Sequence, residues 1–157
     1  MCAACDDGAI QLWDLRTQNM LSLHEKDGHE DACSAIAFST VNKLLLCSVG
    51  IDRSIKFYDI NEKKNIKAIK TESPLTALAF YSDGHTIAVG SLYGEVLLYD
   101  LRSTNQAKLT MSGHTGAVHN MEFTKDIKKK KEESKRTSGG QEQKSGVQSK
   151  FKSYQDI

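Results

Sequence analysis

Along the first 124 residues apolar side chains come at every second position or in short unbroken runs, and helical spacing is nowhere sustained. Ser34, Ile36 and Phe38 alternate with Ala35 and Ala37, which predicts a strand, and "STVN" then turns the chain into "KLLLCSV". This second run is apolar at consecutive positions, as suits a strand covered on both faces. "GID" turns it into "RSIKFYD", where Ile55, Phe57 and Asp59 project to one side and Lys56 and Tyr58 to the other. The polar stretch "INEKKN" leads to an outer strand near Ile66 to Ile69. The same order returns downstream as "LTALAF", a turn at "YSDG", "HTIAVGS", a turn at Gly94, "EVLLYD" and "QAKLTM". Asp83-Gly84 marks a hairpin, and Pro74 stands just before its strand, where the missing N–H costs no ladder bond. The pattern predicts an all-β chain of four-strand units.

Those units repeat. "DDGAIQLWDL", "IDRSIKFYDI" and "LYGEVLLYDL" end alike, in Trp13-Asp14, Tyr58-Asp59 and Tyr99-Asp100, with the aspartates 45 and 41 residues apart. Gly-His precedes a unit at Gly28-His29 and again at Gly113-His114. An aromatic-Asp ending at this period, with Gly-His ahead of it, is the signature of a WD40 β-propeller blade. The expected fold is therefore an all-β partial WD40 propeller, residues 1–124, with blades at about 1–26, 27–70 and 71–112 and a closing strand within 113–124. The first blade starts midway, with "CAAC" as second strand and "AIQLWD" as third. Two full blades and two partial ones do not close a ring of about four to eight, so a fragment of a longer chain is expected.

Charge divides the chain at the same boundary. Residues 125–157 hold ten Lys or Arg against five Asp or Glu, a net +5 that leaves −4 for residues 1–124 out of a total of +1. With few aliphatics and much Ser, Gly, Gln and Lys, the 125–157 segment is expected to be a disordered Lys-rich tail. Its run Lys128, Lys129, Lys130 and Lys131 can act as a solubilising stretch, as a contact to an acidic partner such as a tubulin surface or nucleic acid, or as a nuclear-import patch. Nucleic acid is not the expected partner, since only Phe151 and Tyr154 could stack on bases. No apolar run approaches the roughly 20 residues of a membrane span, and the first residues read as no secretory signal. Four cysteines, Cys2, Cys5, Cys33 and Cys47, sit in strands or strand starts, as reduced thiols of a cytoplasmic protein do.

His29, Ser48, Asp52 and Tyr58 occupy the places where WD40 repeats carry an entry-loop His, a Ser or Thr in the second strand, an Asp in the next turn and a Trp in the third strand. Buried polar groups need partners, so this quartet predicts a structural hydrogen-bond network, with no catalytic residue. The first repeat keeps Asp7 and Trp13; the third has Val89 and Tyr93 at the hydroxyl and carboxylate positions and is expected to rely on packing. Cys2 and Cys5 spell C-x-x-C, but residues three apart on a strand face opposite ways and no second pair completes a metal site. Phosphate-binding glycine motifs are missing, so no cofactor is expected. "WDLR" and "YDLR" place Arg16 and Arg102 two residues after the blade aspartates. In some WD40 proteins such an Arg contacts the adaptor of a cullin-RING ubiquitin ligase; the alternative is an Arg in a polar turn.

From Ala35 to Phe123 the chain goes beyond a generic repeat. "VNKLLL", "GIDRSI", "SPLTAL", "DGHTIAVGS" and "SGHTGAVHNMEF" resemble the last blades of the neural-precursor-expressed, developmentally down-regulated WD-repeat family of centrosomal adaptors for the γ-tubulin ring complex. The resemblance implies a non-enzymatic scaffold, cytoplasmic and located at centrosomes and spindle poles, whose partners are centrosomal and γ-tubulin complex components. It also implies a seven-bladed parent in which a C-terminal helical segment, not seen in this sequence, binds γ-tubulin. The alternative function is a substrate receptor of a cullin-RING ligase through the two Arg motifs.

Overall fold

The computed structural model describes residues 1–23, 28–103 and 106–124, which form three antiparallel sheets and no helix. The first sheet contains β1 (Cys2–Ala4), β2 (Ile10–Asp14) and β3 (Asn19–Leu23) in the order β1-β2-β3. The second contains β4 (Cys33–Phe38), β5 (Leu45–Gly50), β6 (Ser54–Asp59) and β7 (Lys64–Lys70), in sequence order. The third contains β8 (Leu75–Phe80), β9 (Thr86–Ser91), β10 (Glu95–Asp100) and β11 (Leu109–Ser112), again each beside the next. These are the predicted blades of a partial all-β propeller, with β3 an outer strand that the alternation did not reveal.

The blades pack flank to flank. Cys47, Val49, Ile55 and Phe57 of the second blade meet Leu75, Ile87, Val89 and Tyr99 of the third in one buried cluster. The opposite flank, with Cys33, Leu46 and Tyr58, meets Ile10, Leu12 and Leu23 of the first blade. Neighbouring positions of β5 and β6 thus serve opposite clusters, which explains why "KLLLCSV" is apolar without a break. The inner strands β4 and β8 carry the same irregularity: register shifts between Cys33 and Ala35 on β4 and between Leu75 and Ala77 on β8. A bulge at the same place in two blades is a property of the repeat, which bends each inner strand alike.

The turn between the second and third strands of each blade reaches its neighbour. Gly8 at φ 83, Arg53 at φ 58 and Gly94 at φ 88 hold equivalent places there. The Gly8 carbonyl accepts from the His29 N–H at 2.8 Å, and the Arg53 carbonyl from the Thr71 N–H at 2.8 Å. A Cβ on Gly94 would lie 2.2 Å from the His114 carbonyl oxygen, so that turn also sits against the loop that follows it.

The strand expected within 113–124 has no ladder partner among the described residues; this stretch is bound to the third blade by other means. Residues 125–157, where the Lys-rich tail was expected, lie outside the described residues, and Lys128, Lys129, Lys130 and Lys131 lie with them.

Candidate functional site

Four sequence-chosen residues meet between the first two blades. His29 is delivered by the loop entering β4, Ser48 by β5, Asp52 by the β5–β6 turn and Tyr58 by β6. His29 Nδ1 lies 2.9 Å from Asp52 Oδ1 and Nε2 lies 2.6 Å from Ser48 Oγ, and Tyr58 hydrogen-bonds Ser48 in turn. A carboxylate can only accept, so Nδ1–H donates to Asp52, and the Ser48 hydroxyl donates to Nε2 while accepting from the Tyr58 O–H. Ser48 and Tyr58 are fully buried and His29 is 5% exposed, so each of these polar groups depends on the others for its partners.

Two members went unnoticed in the sequence. The Ser54 hydroxyl donates to Asp52 Oδ1 at 2.7 Å, and the Ser54 N–H adds a second bond at 3.1 Å to the same oxygen. Lys56, 8% exposed, donates through Nζ to the Gly28 carbonyl, so the glycine of the Gly-His pair receives a buried ammonium. An "S-x-K" reading along β6 would have flagged both, since Ser54, Lys56 and Tyr58 share a strand face.

Burial of His29 lowers its pKa against the raising effect of Asp52. For Asp52, burial pushes upward, but hydrogen bonds from Ser54, from His29 and from the Glu30 N–H outweigh it and leave the carboxyl below its ordinary range. Tyr58 is raised to a phenol that does not ionise under ordinary conditions, chiefly by burial. Cys33, beside Ser48, is raised by burial to about 12 and stays a thiol. The arrangement holds a neutral imidazole between a fixed carboxylate and a hydroxyl buried away from any open cleft, which suits support of the blade seam and offers no exposed nucleophile.

The sign of the pH response follows. Below the ordinary imidazole value of 6.5 the unfolded chain takes up a proton that folded His29 resists, so stability rises with pH in that window and falls on acidification. Asp52, depressed below 3.8, adds stability that is complete above that value and lost beneath it. A melting-temperature profile is expected to fall in two steps as pH drops from 7 to 3, and His29→Gln is expected to remove the upper step. Asp52→Ala is expected to cost roughly 1–3 kcal/mol by leaving the His29 N–H without its acceptor, read by chemical denaturation at pH 7.

The repeated aromatic-Asp endings do a different job. Asp14 Oδ1 accepts the Arg16 and Thr17 N–H groups at 2.9 and 3.4 Å, and Asp59 Oδ1 those of Asn61 and Glu62 at 2.8 and 3.1 Å. Asp100 Oδ1 accepts the Arg102 N–H at 3.1 Å. Each aspartate therefore closes the turn out of the third strand. Arg102 returns its guanidinium to Asp100 through Nε and Nη2, both at 3.0 Å, and this pair brings the Asp100 carboxyl down to about 2. Arg16 is exposed at its turn, and Trp13 lies half-buried on the outer flank of β2. Gly113 and His114 are exposed, unlike Gly28 and His29.

Phe38, Phe80 and Phe123 end the three inner segments and line one open hollow of about 560 Å³ together with Leu78 and Met121. Phe123 also meets Tyr81 edge to face, with ring centroids 5.1 Å apart. Among the described residues no three His, Cys, Asp or Glu side chains cluster as metal ligands, and the four cysteines are free thiols.

Comparison with known proteins places these blades. The family described as "Nucleolar protein 10-like, N-terminal domain", a β-propeller, matches residues 1–139. Protein NEDD1 of Mus musculus is 40% identical over 119 residues, 75% of this chain and 18% of its own length; the Homo sapiens protein is 39% identical over the same span. Protein SPA1-RELATED 3 of Arabidopsis thaliana is 32% identical over 118 residues, 74% of this chain and 14% of its own. The chain thus spans less than a fifth of these relatives. Among solved structures, a chain of the mitotic checkpoint complex covers 75% of this one at a TM-score of 0.66 and 24% identity, covering 35% of that chain, a likeness of fold.

Proposed function

We propose that this chain, which belongs to the nucleolar protein 10-like N-terminal β-propeller family and is built of WD40 blades similar to those of Protein NEDD1, is part of a non-enzymatic adaptor that brings a protein partner to centrosomes and spindle poles. The observation that carries the reading is the similarity to Protein NEDD1, 40% identical over 119 residues, 75% of this chain. Its chemistry supports a scaffold: among the described residues, the cluster of catalytic residue types is spent on hydrogen bonds within the second blade, on its flank toward the first. What remains outward is suited to contact, namely the hollow edged by Phe38 and Phe123 and the turns capped by Asp14, Asp59 and Asp100. In this reading the blades supply the address, the Lys128–Lys131 run adds an electrostatic contact to acidic tubulin, and γ-tubulin complexes bind elsewhere in a longer parent.

A fluorescently tagged version of the chain, expressed in dividing cells, is expected to concentrate at spindle poles. Uniform cytoplasmic signal throughout mitosis would end the adaptor reading. Capture of a cullin-RING adaptor that is lost on joint Arg16→Ala and Arg102→Ala substitution would support the ligase-receptor function instead. The fork from Arg102 to Asp100 weighs against it, because that guanidinium is already engaged in its own turn.

A further inference from the structure

The second and third blades fill the same face differently. Val89, Glu95, Leu97 and Tyr99 stand 41 residues after Ser48, Ser54, Lys56 and Tyr58, in the same pairing: Val89 lies opposite Leu97 as Ser48 lies opposite Lys56. Thr71 takes the place of His29, since its N–H donates to the Arg53 carbonyl at 2.8 Å as the His29 N–H donates to the Gly8 carbonyl at 2.8 Å. On this face the third blade therefore carries neither the imidazole nor the hydroxyl that fill it in the second. A hollow of about 390 Å³ opens there, on the seam between the second and third blades, and Thr71, Glu72, Glu95, Leu97 and Tyr99 line it.

The exchange strands a polar group. Tyr58 hydrogen-bonds Ser48, but Tyr99 meets Val89 at that position, and its hydroxyl has no hydrogen-bond partner among the described residues. Tyr99 is 4% exposed. Among the described residues no fully enclosed side-chain nitrogen or oxygen lacks a partner, so the exposure that Tyr99 keeps belongs to its hydroxyl, and the open space it lines is this hollow. A nearly buried hydroxyl left without a partner costs free energy that a ligand able to bond it recovers.

Carboxylates stand on the rim. Glu72 comes from the loop entering β8 and Glu95 from the start of β10. Burial, and after it the charge of Glu72, raise the Tyr99 pKa, so the Glu72 carboxylate lies near enough to act on the phenol. The Ser73 hydroxyl donates to Glu95 Oε2 at 3.4 Å, a long bond that leaves this carboxylate able to take a stronger donor. Lys70, on the same rim, is drawn to Glu30 at 3.8 Å. The loop is already set, because the Thr71 hydroxyl reaches the Ser73 carbonyl at 2.9 Å and the Arg53 carbonyl at 3.1 Å. Leu97 and Ala107, both half-buried against the core, give the hollow an apolar wall. Acids and a phenol above an apolar wall suit a side chain with an alkyl stem and a cationic head.

We propose that this hollow receives an arginine side chain of a partner protein, its stem on Leu97 and Ala107 and its guanidinium on the Glu72 and Glu95 carboxylates and the Tyr99 hydroxyl. The flat cation then lies where the second blade holds the flat His29 ring. Arginine suits it better than lysine, since a planar group with five N–H donors serves acceptors on several sides at once. The inference names the chemistry of a partner for the scaffold proposed above and rests on that reading only in taking the ligand to be a protein. It is measured on the isolated chain, so a failure to bind arginine and a failure to reach spindle poles are separate results.

N-acetyl-arginine amide, titrated into the isotope-labelled 157-residue chain and followed by two-dimensional NMR, is expected to shift the amides of Glu72, Ser73, Leu97 and Tyr99 with a millimolar dissociation constant. The uncharged N-acetyl-norleucine amide is expected to leave them in place, and N-acetyl-lysine amide to bind more weakly. Glu72→Gln, Glu95→Gln and Tyr99→Phe are each expected to raise the arginine constant about fivefold. Glu62→Gln, at an exposed carboxylate paired with Lys64, is expected to change it by less than about twofold. Tyr99→Phe is also expected to leave the melting temperature where it was, in contrast to Tyr58→Phe, because no bond within the fold is lost. No shift at these amides, an equal response to the norleucine or lysine compound, or equal sensitivity to Glu62→Gln would overturn the proposal. So would a dissociation constant indifferent to Tyr99→Phe, or a lowered melting temperature in that variant.

Discussion

Gly8→Ala is expected to destabilise the arc by about 3 kcal/mol or more. A side chain at φ 83 carries the left-handed penalty of roughly 1–2 kcal/mol. The larger part comes from position: the added Cβ would lie 2.2 Å from the His29 carbonyl oxygen and 2.8 Å from that of Asp31, both backbone atoms that cannot swing aside. Relief requires the β1–β2 turn to lift away from the second blade, which breaks the 2.8 Å bond from the His29 N–H to the Gly8 carbonyl and loosens His29 itself. Equilibrium urea denaturation measures the loss. Gly113→Ala is the control, because a Cβ there meets nothing within 4 Å. Equal stability of the two variants would mean that the turn does not hold the seam.

Tyr58→Ala is expected to cost about 3–5 kcal/mol, the range for emptying a buried aromatic site. Tyr58 is fully buried, stands in the cluster that joins the first blade to the second and supports Ser48 by hydrogen bond. Tyr58→Phe separates the two contributions: it keeps the ring against Leu46 and Ile10 and removes the hydroxyl, for an expected loss of about 1 kcal/mol. If the Phe variant lost as much as the Ala variant, the network and not the packing would govern this seam. A loss near zero in Tyr58→Ala would show that the first blade does not rest on it.

Much of the arc could be read from residue order. Alternation, as in "LTALAF", the unbroken run in "KLLLCSV" and turns such as Asp83-Gly84 located ten of the eleven strands of the described residues, with edges off by three residues or fewer. The quartet His29, Ser48, Asp52 and Tyr58 could be chosen by repeat position alone, and the structure brings those four within one chain of hydrogen bonds. β3 escaped notice because "NMLSL" is an outer strand, exposed at Asn19, Met20 and Ser22, so little selects its pattern. The expectation that the third blade relies on packing missed Ser91, whose hydroxyl accepts the Tyr93 and Glu95 N–H groups at 3.2 and 3.0 Å. A serine two residues before the carboxylate position, which Tyr93 fills here, gives no signal at the aligned position.

Sequence by itself determined every strand but β3, the order of strands in the second and third sheets and the repeat, because these depend on two-residue periodicity, turn chemistry and a fixed spacing, all of which are local. Tertiary structure alone decided which neighbour each flank meets. In the middle blade both flanks are buried, so alternation divides Ile55 and Phe57 from Lys56 and Tyr58 without saying which pair faces the first blade. It also decided that Lys56 is buried on a carbonyl of Gly28, that Asp14, Asp59 and Asp100 close turns, and that Val118–Phe123 sits in an inner-strand slot beside β9. The reason is the same in each case: the partner lies in another loop or another blade, and only packing one sheet against the next brings it within bonding distance.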